Sequence, residues 1–264
     1  MLGVYDSGLG GLTVLAALRK AGIDQDVVYF ADQAHVPYGD RTDAELYGFL
    51  HDNFRLLEAH GADAIVMGCN TSCAVAARCG GFPATALPVL DLIGNAAAAL
   101  RAAGLRRIAV FATAATVRSA AYRTAIAAAV PQIDVVEIAA PALVPIVEGG
   151  LAQTRQAHDA VREVCRALPP GVEAIVYGCT HYPLLDEHFA RVLPPEVVRI
   201  DPALAQAAAA GVLVRRLALP PGASRTHYLT NGDPTAFESN VRAWTGDRTG
   251  IVAAVPALAH ESPR

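Results

Sequence analysis

Apolar positions along this chain fall into two kinds of run that alternate. Short runs rich in valine and isoleucine, at residues 2–5, 27–31, 64–68, 108–112, 135–138, 174–178 and 197–201, have the length of strands buried on both faces. Alanine-rich stretches of helical length separate them, at residues 12–21, 43–59, 94–103, 153–167 and 203–217. Strand alternating with helix is the pattern of a parallel sheet covered by helices, so the predicted class is α/β. One helix start is marked in detail. Thr42-Asp43-Ala44-Glu45 has the spacing of a capping box, in which the first and last side chains satisfy free backbone amides.

The pattern also repeats on a larger scale. Asp63-Ala-Ile-Val-Met-Gly-Cys69-Asn70-Thr71 and Glu173-Ala-Ile-Val-Tyr-Gly-Cys179-Thr180-His181 both run from an acidic residue through a buried strand into Gly-Cys-polar-polar. The repetition predicts two similar parallel-sheet α/β domains facing across a central cleft, related by a pseudo-twofold axis. Each presents a cysteine at the carboxyl edge of its sheet, where open α/β folds place ligands. Residues 88–95 read as the crossing between halves and residues 201–203 as the return. The first domain is then residues 1–93 plus 206–264, with Tyr228 to Asp233 completing it, and the second is residues 94–205.

Composition narrows the function. The formal net charge of -4, with 17% charged residues, leaves no basic surplus for a phosphate backbone, so nucleic acid is not expected as a partner. The 53% hydrophobic content raises the question of membranes, but no run approaches the roughly 20 apolar residues that a spanning helix needs. No basic segment with an apolar signal core opens the chain, and the expectation is a cytoplasmic protein. Five cysteines, an odd number, read as thiols rather than a disulfide framework. Lys20 is the only lysine and sits in the first helical segment, poorly placed to form a Schiff base with pyridoxal phosphate, so no cofactor is expected.

Three segments carry candidate chemistry. Asp6-Ser7-Gly8-Leu9-Gly10-Gly11 leaves a strand through glycines into a helix, a place where backbone amides meet an anion. It is not a dinucleotide fingerprint, because Thr13 stands where the third glycine would fall. Cys69 precedes Asn70-Thr71-Ser72 at a strand end that runs into a helix, where helix amides can stabilise a thiolate. Cys179 is followed by Thr180 and His181; the imidazole can orient the thiol or exchange a proton with it, as Asp6 could for the opposite thiol. A lone cysteine is ordinarily a small buried hydrophobe. That alternative weakens when two occupy matching positions in a repeat, whereas Cys73, Cys79 and Cys165 have no repeated partner and are assigned to structure.

Taken together, DSGLGG at 6–11, PYG at 37–39, CNT at 69–71, VPIVEGG at 144–150 and GCTHYPLL at 178–185, with a GDP at 232–234, closely resemble the glutamate racemase family within the aspartate/glutamate racemase superfamily. The blocks keep the family's order over nearly the whole chain. The resemblance implies a cofactor-independent racemase in which Cys69 and Cys179 are the acid–base pair, supported by Asp6 and His181. The position of Cys69 serves the D enantiomer and that of Cys179 the L enantiomer. It further implies that Asp6, Ser7, Pro37, Tyr38, Gly39, Asn70, Thr71, Thr180 and His181 hold the amino acid, with Thr113, Thr116 and Glu148 near the pocket. A homodimer supplying D-glutamate for peptidoglycan is the expected biology. Four positions depart from the family: His35 stands where arginine is frequent, Ser72-Cys73 replaces Ala-Ser, Ala112 replaces glycine, and Pro202 interrupts Asp-Ser-Ala.

Three rivals remain at this level. Cys69, Cys73, Cys179 and His181 could ligate zinc, although the spacing lacks the usual accompanying pair. The chain could be a catalytically silent relative that only binds an amino acid. It could also act on aspartate or another amino acid.

Overall fold

The strands sort into two separate sheets, both wholly parallel, and the two have the same internal order. In the computed structural model, which describes residues 1–257, the first part of the chain runs β1 (Leu2–Asp6), α1 (Leu12–Lys20), β2 (Val27–Ala31), α2 (Asp43–Ala59), β3 (Ala64–Met67), α3 (Asn70–Arg78) and β4 (Val89–Leu90). The middle part runs α4 (Leu92–Ala99), β5 (Arg107–Ala112), α5 (Ala114–Ser119), α6 (Ala121–Ala129), β6 (Asp134–Ala139), α7 (Leu143–Glu148), α8 (Arg155–Cys165), β7 (Ala174–Gly178), α9 (Asp186–Val192) and β8 (Val198–Ile200). It closes with α10 (Pro202–Arg216), β9 (Thr226–Thr230), α11 (Pro234–Thr245) and β10 (Ile251–Ala254). The first sheet is ordered β10-β9-β2-β1-β3-β4 and the second β6-β5-β7-β8. Four strands of the first sheet thus follow the same permutation as the whole of the second, and β9 with β10 extend the first beyond it.

This equivalence explains the sequence repeat. β3 pairs with β1, and β7 with β5, in parallel register, so each cysteine follows the strand beside the opening strand of its sheet. The glycine before each cysteine is a matter of space. A Cβ on Gly68 would lie 2.9 Å from the Tyr5 carbonyl, and one on Gly178 would lie 2.8 Å from the Phe111 carbonyl and 2.7 Å from Val110. Only glycine lets the chain turn off the sheet against its neighbouring strand there.

Alternation along β5 divides the core. Ile108, Val110 and Ala112 join the large cluster that also holds the first sheet, while Ala109 and Phe111 face a second cluster with Ile175, Tyr177 and Phe189. Helices α1, α10, α4 and α6 pack in series between the sheets. The chain leaves the first sheet through α4 and returns through α10, and both helices are capped by aspartates: Asp91 accepts from Ile93 N–H at 3.0 Å and Asp201 from Ala203 N–H at 2.9 Å. Pro202 occupies the first turn of α10, where its missing N–H costs nothing. Fully buried Gln206 ties the two crossings, donating to the Met67 and Leu90 carbonyls and accepting from Asn95 Nδ2 at 2.7 Å.

The capping box forms as read, with Thr42 N–H donating to Glu45 at 3.0 Å and Glu45 N–H to Thr42 Oγ1 at 3.3 Å. The alanine-rich stretch after β5 breaks in two at Ala120, whose φ of 53° lies in the left-handed region. Among the described residues no helix is long and apolar enough to cross a membrane.

Candidate active site

One cavity of about 340 Å³ opens between the carboxyl edges of the two sheets, and both repeat cysteines line it. From the first half come Ser7, the Pro37-Tyr38-Gly39 turn, Cys69, Asn70 and Thr71; from the second come Thr113, Glu148, Cys179, Thr180 and His181. Two of the expected residues stand behind this wall. Asp6 is fully buried beneath Ser7, and Thr116 is fully buried behind Thr71 and Thr113. Sequence reasoning did not pick out Val36, Asp40, Ala114 and Pro141, and it quoted Val144 and Pro145 in the VPIVEGG block without placing them in the site; these six complete the lining. Val36 and Asp40 flank the PYG turn, so only their neighbours gave a signal.

The surroundings of the two thiols differ. Cys69 lies at the N-terminus of α3, with its Sγ 3.7 Å from Ser7 Oγ. Burial, reinforced by the charge of Asp6, pushes this thiol up to about 12, while Ser72 and Ser7 pull the other way. Cys179 Sγ lies 3.6 Å from His181 Nδ1, and His181 Nε2 lies 2.5 Å from Glu148 Oε1. Burial works against a charged imidazole here, but the contacts with Cys179 and Glu148 outweigh it and hold His181 well above its usual range. The same ion pair keeps Glu148 below the usual carboxylate range in spite of its burial.

Asp6 takes a position other than the one expected of it. It makes no hydrogen bond to Cys69 among those described; its Oδ1 accepts from Gly8 N–H at 2.8 Å and its Oδ2 accepts from Thr180 Oγ1 at 3.3 Å. The carboxylate therefore crosses to the opposite half and braces the segment that carries Cys179. It acts on Cys69 through charge alone. The glycine turn is likewise occupied from within, since Leu9 N–H donates to Glu148 at 3.3 Å. Gly10 leaves room for this approach: a Cβ there would sit 2.6 Å from His181 Nδ1.

Asn70 is the best-placed free donor. Its Oδ1 accepts from the Tyr122 hydroxyl at 2.6 Å, which fixes the amide, and its buried Nδ2 has no partner in the protein. A buried donor without an acceptor is costly unless a ligand supplies one. A carboxylate oxygen in the cavity would do so. Thr71 Oγ1 bonds Thr113 Oγ1 at 3.0 Å, so a hydroxyl pair spans the halves beside it.

The zinc alternative finds no support in this arrangement. Cys73 turns toward Asp91, and among the described residues no group of three or more potential ligands is placed to hold a metal ion. Lys20, at the exposed end of α1, is absent from the cavity wall.

Two halves that each deliver a thiol to one shared cavity form the arrangement that an acid–base isomerase working on both faces of a carbon requires. The family model for Asp/Glu/Hydantoin racemases matches residues 13–210, and the chain belongs to that family. Within it, similar curated proteins are glutamate racemases. That of Gloeobacter violaceus is 42% identical over 258 residues, covering 92% of each chain, and that of Desulforudis audaxviator is 40% identical over 90% of this chain and 91% of its own. Among solved structures, the Bacillus anthracis glutamate racemase isoform RacE1 superposes with a TM-score of 0.89 at 28% identity over 97% of both chains. The Thermus thermophilus glutamate racemase in complex with β-chloro-D-alanine gives 0.84 at 34% identity over 97% of this chain and 96% of its own.

Proposed function

We propose that this protein interconverts L- and D-glutamate with Cys69 and Cys179 as the two acid–base groups. The observation that carries the reading is that both cysteines, at equivalent strand ends of two topologically matched sheets, line the same cavity. The volume of about 340 Å³ suits a small metabolite. Relatives named for glutamate, including a Francisella tularensis structure in complex with D-glutamate at 28% identity, support the substrate.

In the L-to-D direction the Cys179 thiolate removes the α-proton from one face, and the Cys69 thiol delivers a proton to the other. The reverse direction exchanges the roles. Positioned acid–base groups supply roughly 10² to 10⁴-fold, so the rest of the barrier must be met by fixed donors that stabilise the carbanion-like state in a cleft closed to water. The hydroxyls of Ser7, Thr71 and Thr180 and the amides beside the two cysteines are the candidates, while Asn70 Nδ2 would hold a substrate carboxylate throughout. Among the described residues, neither an arginine nor a lysine lines the cavity. Neutral donors and helix starts would therefore hold the substrate carboxylates, and among the described residues His181 is the cationic group at the wall.

The chain is divided for this purpose into residues 1–93 plus 206–264 and residues 94–205, with the cavity between. The same reading makes the protein a cytoplasmic homodimer supplying D-glutamate to peptidoglycan; sedimentation of the purified protein checks the dimer. The activity is tested by circular dichroism of cofactor-free protein incubated with L-glutamate, D-glutamate or L-aspartate. Loss of the optical signal with either glutamate alone is the expected result. Racemisation of aspartate instead would move the protein to another substrate, and silence on all three would leave a binding role.

A further inference from the structure

The first sheet carries β9 beside β2, whereas β6, the counterpart of β2, is an edge strand of the second sheet. The end of that extra strand meets the segment that forms one wall of the cavity. β2 and β9 pair in parallel with Ala31 opposite Thr230, so Asp32 and Asn231 leave the sheet side by side. Asn231 Oδ1 accepts from Ala34 N–H at 2.9 Å, and because a backbone amide can only donate, the carboxamide has one orientation. Its Nδ2 donates to Asp32 Oδ1 at 2.5 Å. Thr230 Oγ1 donates to Gln33 Oε1 at 2.9 Å, which fastens three successive residues of the segment to the end of β9.

Asp32 passes this support on to the wall. It is fully buried, and its other oxygen accepts from Asn53 Nδ2 of α2 at 3.3 Å and from the Tyr38 hydroxyl. Burial pushes Asp32 up, but its side-chain hydrogen bonds prevail and hold it below the usual carboxylate range, as a carboxylate out of reach of water requires. Tyr38 is only 4% exposed and lines the cavity between Pro37 and Gly39. Two hydrogen bonds therefore connect Asn231, which does not line the cavity, with a ring that does. On its cavity side the turn has room, since a Cβ on Gly39 would meet nothing nearer than Thr113 at 4.0 Å. Its place is set mainly from behind.

We propose that Asn231 is a positioning residue: through Asp32 it fixes Tyr38, and with it the Pro37-Tyr38-Gly39 wall against which the amino-acid substrate lies. The strand by which the first sheet exceeds the repeat thus serves the cavity without lining it. The inference rests on the reading of this cavity as the glutamate site.

The test combines amide hydrogen exchange over residues 33–41 with steady-state kinetics, in Asn231→Ala, Tyr38→Phe and the double variant. Asn231→Ala removes both bonds of the amide, so exchange over 33–41 should quicken roughly fivefold, the equivalent of one hydrogen bond, while exchange over 70–78 in α3 stays as in the parent. KM for glutamate should rise by a similar factor at nearly constant kcat, because a wall that holds the substrate acts alike on ground and transition states. A merely structural residue would lower the melting temperature and leave KM in place, and that result overturns the proposal. Tyr38→Phe cuts the path at its far end, so adding Asn231→Ala to it should raise KM little further. Fully additive effects would mean that Asn231 acts by another route, which overturns the proposal as well. Should Asn231→Ala fail to fold, Asn231→Asp keeps the size and the bond from Ala34 but sets an acceptor against Asp32; unchanged exchange over 33–41 there overturns the proposal equally. If the parent turns over neither enantiomer of glutamate, the glutamate reading fails by itself, and the exchange result still decides whether Asn231 holds the turn.

Discussion

Cys69 follows β3 and Gly68, Cys179 follows β7 and Gly178, and both strands lie beside the opening strand of their sheet, yet the groups around the two thiols share little. On the first side hydroxyls surround the sulfur, the nearest full charge is the anion of Asp6, and the thiol is pushed up to about 12. On the second side an imidazole stands 3.6 Å away with Glu148 behind it, both held in their charged forms. A repeat fixes where the backbone delivers each thiol, and later side chains decide its proton. Racemisation needs one acid and one base at the same moment, so two identical surroundings would serve it worse than two different ones.

The strongest way to break the comparison is to remove each thiol in turn. Cys69→Ser and Cys179→Ser should each lower racemisation by about 10² to 10⁴-fold. The enantiomers have equal free energy, so kcat/KM must be the same in both directions, and the asymmetry has to be sought in exchange of the α-proton with deuterated solvent. Cys69→Ser should suppress exchange from D-glutamate far more than from L-glutamate, and Cys179→Ser the reverse. Equal losses for both enantiomers in either variant would remove the facial assignment.

Glu148→Gln probes the charged side alone, and should lower kcat by about 10²-fold, the lower end of the range for one preorganised electrostatic contact. It also has a signature in stability. Glu148 is held below its ordinary range, so its contribution is present above that range and is lost as pH falls through the folded value. His181 is held above its ordinary range, so its contribution is complete below that range and is lost as pH rises through the folded value. The pair therefore stabilises the fold most around pH 5 to 6.5, roughly between the ordinary values of the two groups. There, removing one partner of a largely buried pair should cost about 2 kcal/mol, below the fully buried range because Glu148 keeps some exposure. Thermal melts of variant and parent should differ by several degrees near pH 6 and converge in strong acid. A difference that is constant across pH would show that the effect is packing rather than charge.

The comparison also shows what the sequence could convey. The Gly-Cys-polar-polar repeat revealed the two sheets, the cysteines and their shared edge because each needs a local pattern: a buried run, a glycine for lack of space, a helix start. Asp6 was expected beside Cys69, and its bond to Thr180 could not be read because it joins positions that meet only when the halves close. Gln206, which bonds Met67 and Leu90 from the returning helix, and Asp32, which accepts from Asn231, gave no signal because their partners lie far along the chain. The helices α5, α6, α7 and α9 escaped notice because, at 6 to 9 residues, they are too short to show a helical period.

The finest probe concerns a bond by which the second half steadies a donor of the first. Tyr122 lies in the first turn of α6, and its hydroxyl gives its proton to Asn70 Oδ1 at 2.6 Å, fixing the amide whose Nδ2 has no partner in the protein. Tyr122→Phe removes one oxygen and leaves a fully buried ring in place. Without that bond the amide can turn over, and the donor is presented to the substrate only part of the time. One hydrogen bond of about 1 kcal/mol corresponds to roughly fivefold, so KM should rise about that much. Because Asn70 would grip a carboxylate equally in the ground state and the transition state, kcat should scarcely change. A fall in kcat at constant KM would instead place Asn70 among the groups that act only as the carbanion forms, and would make the Cys69 side as specialised for the transition state as the Cys179 side.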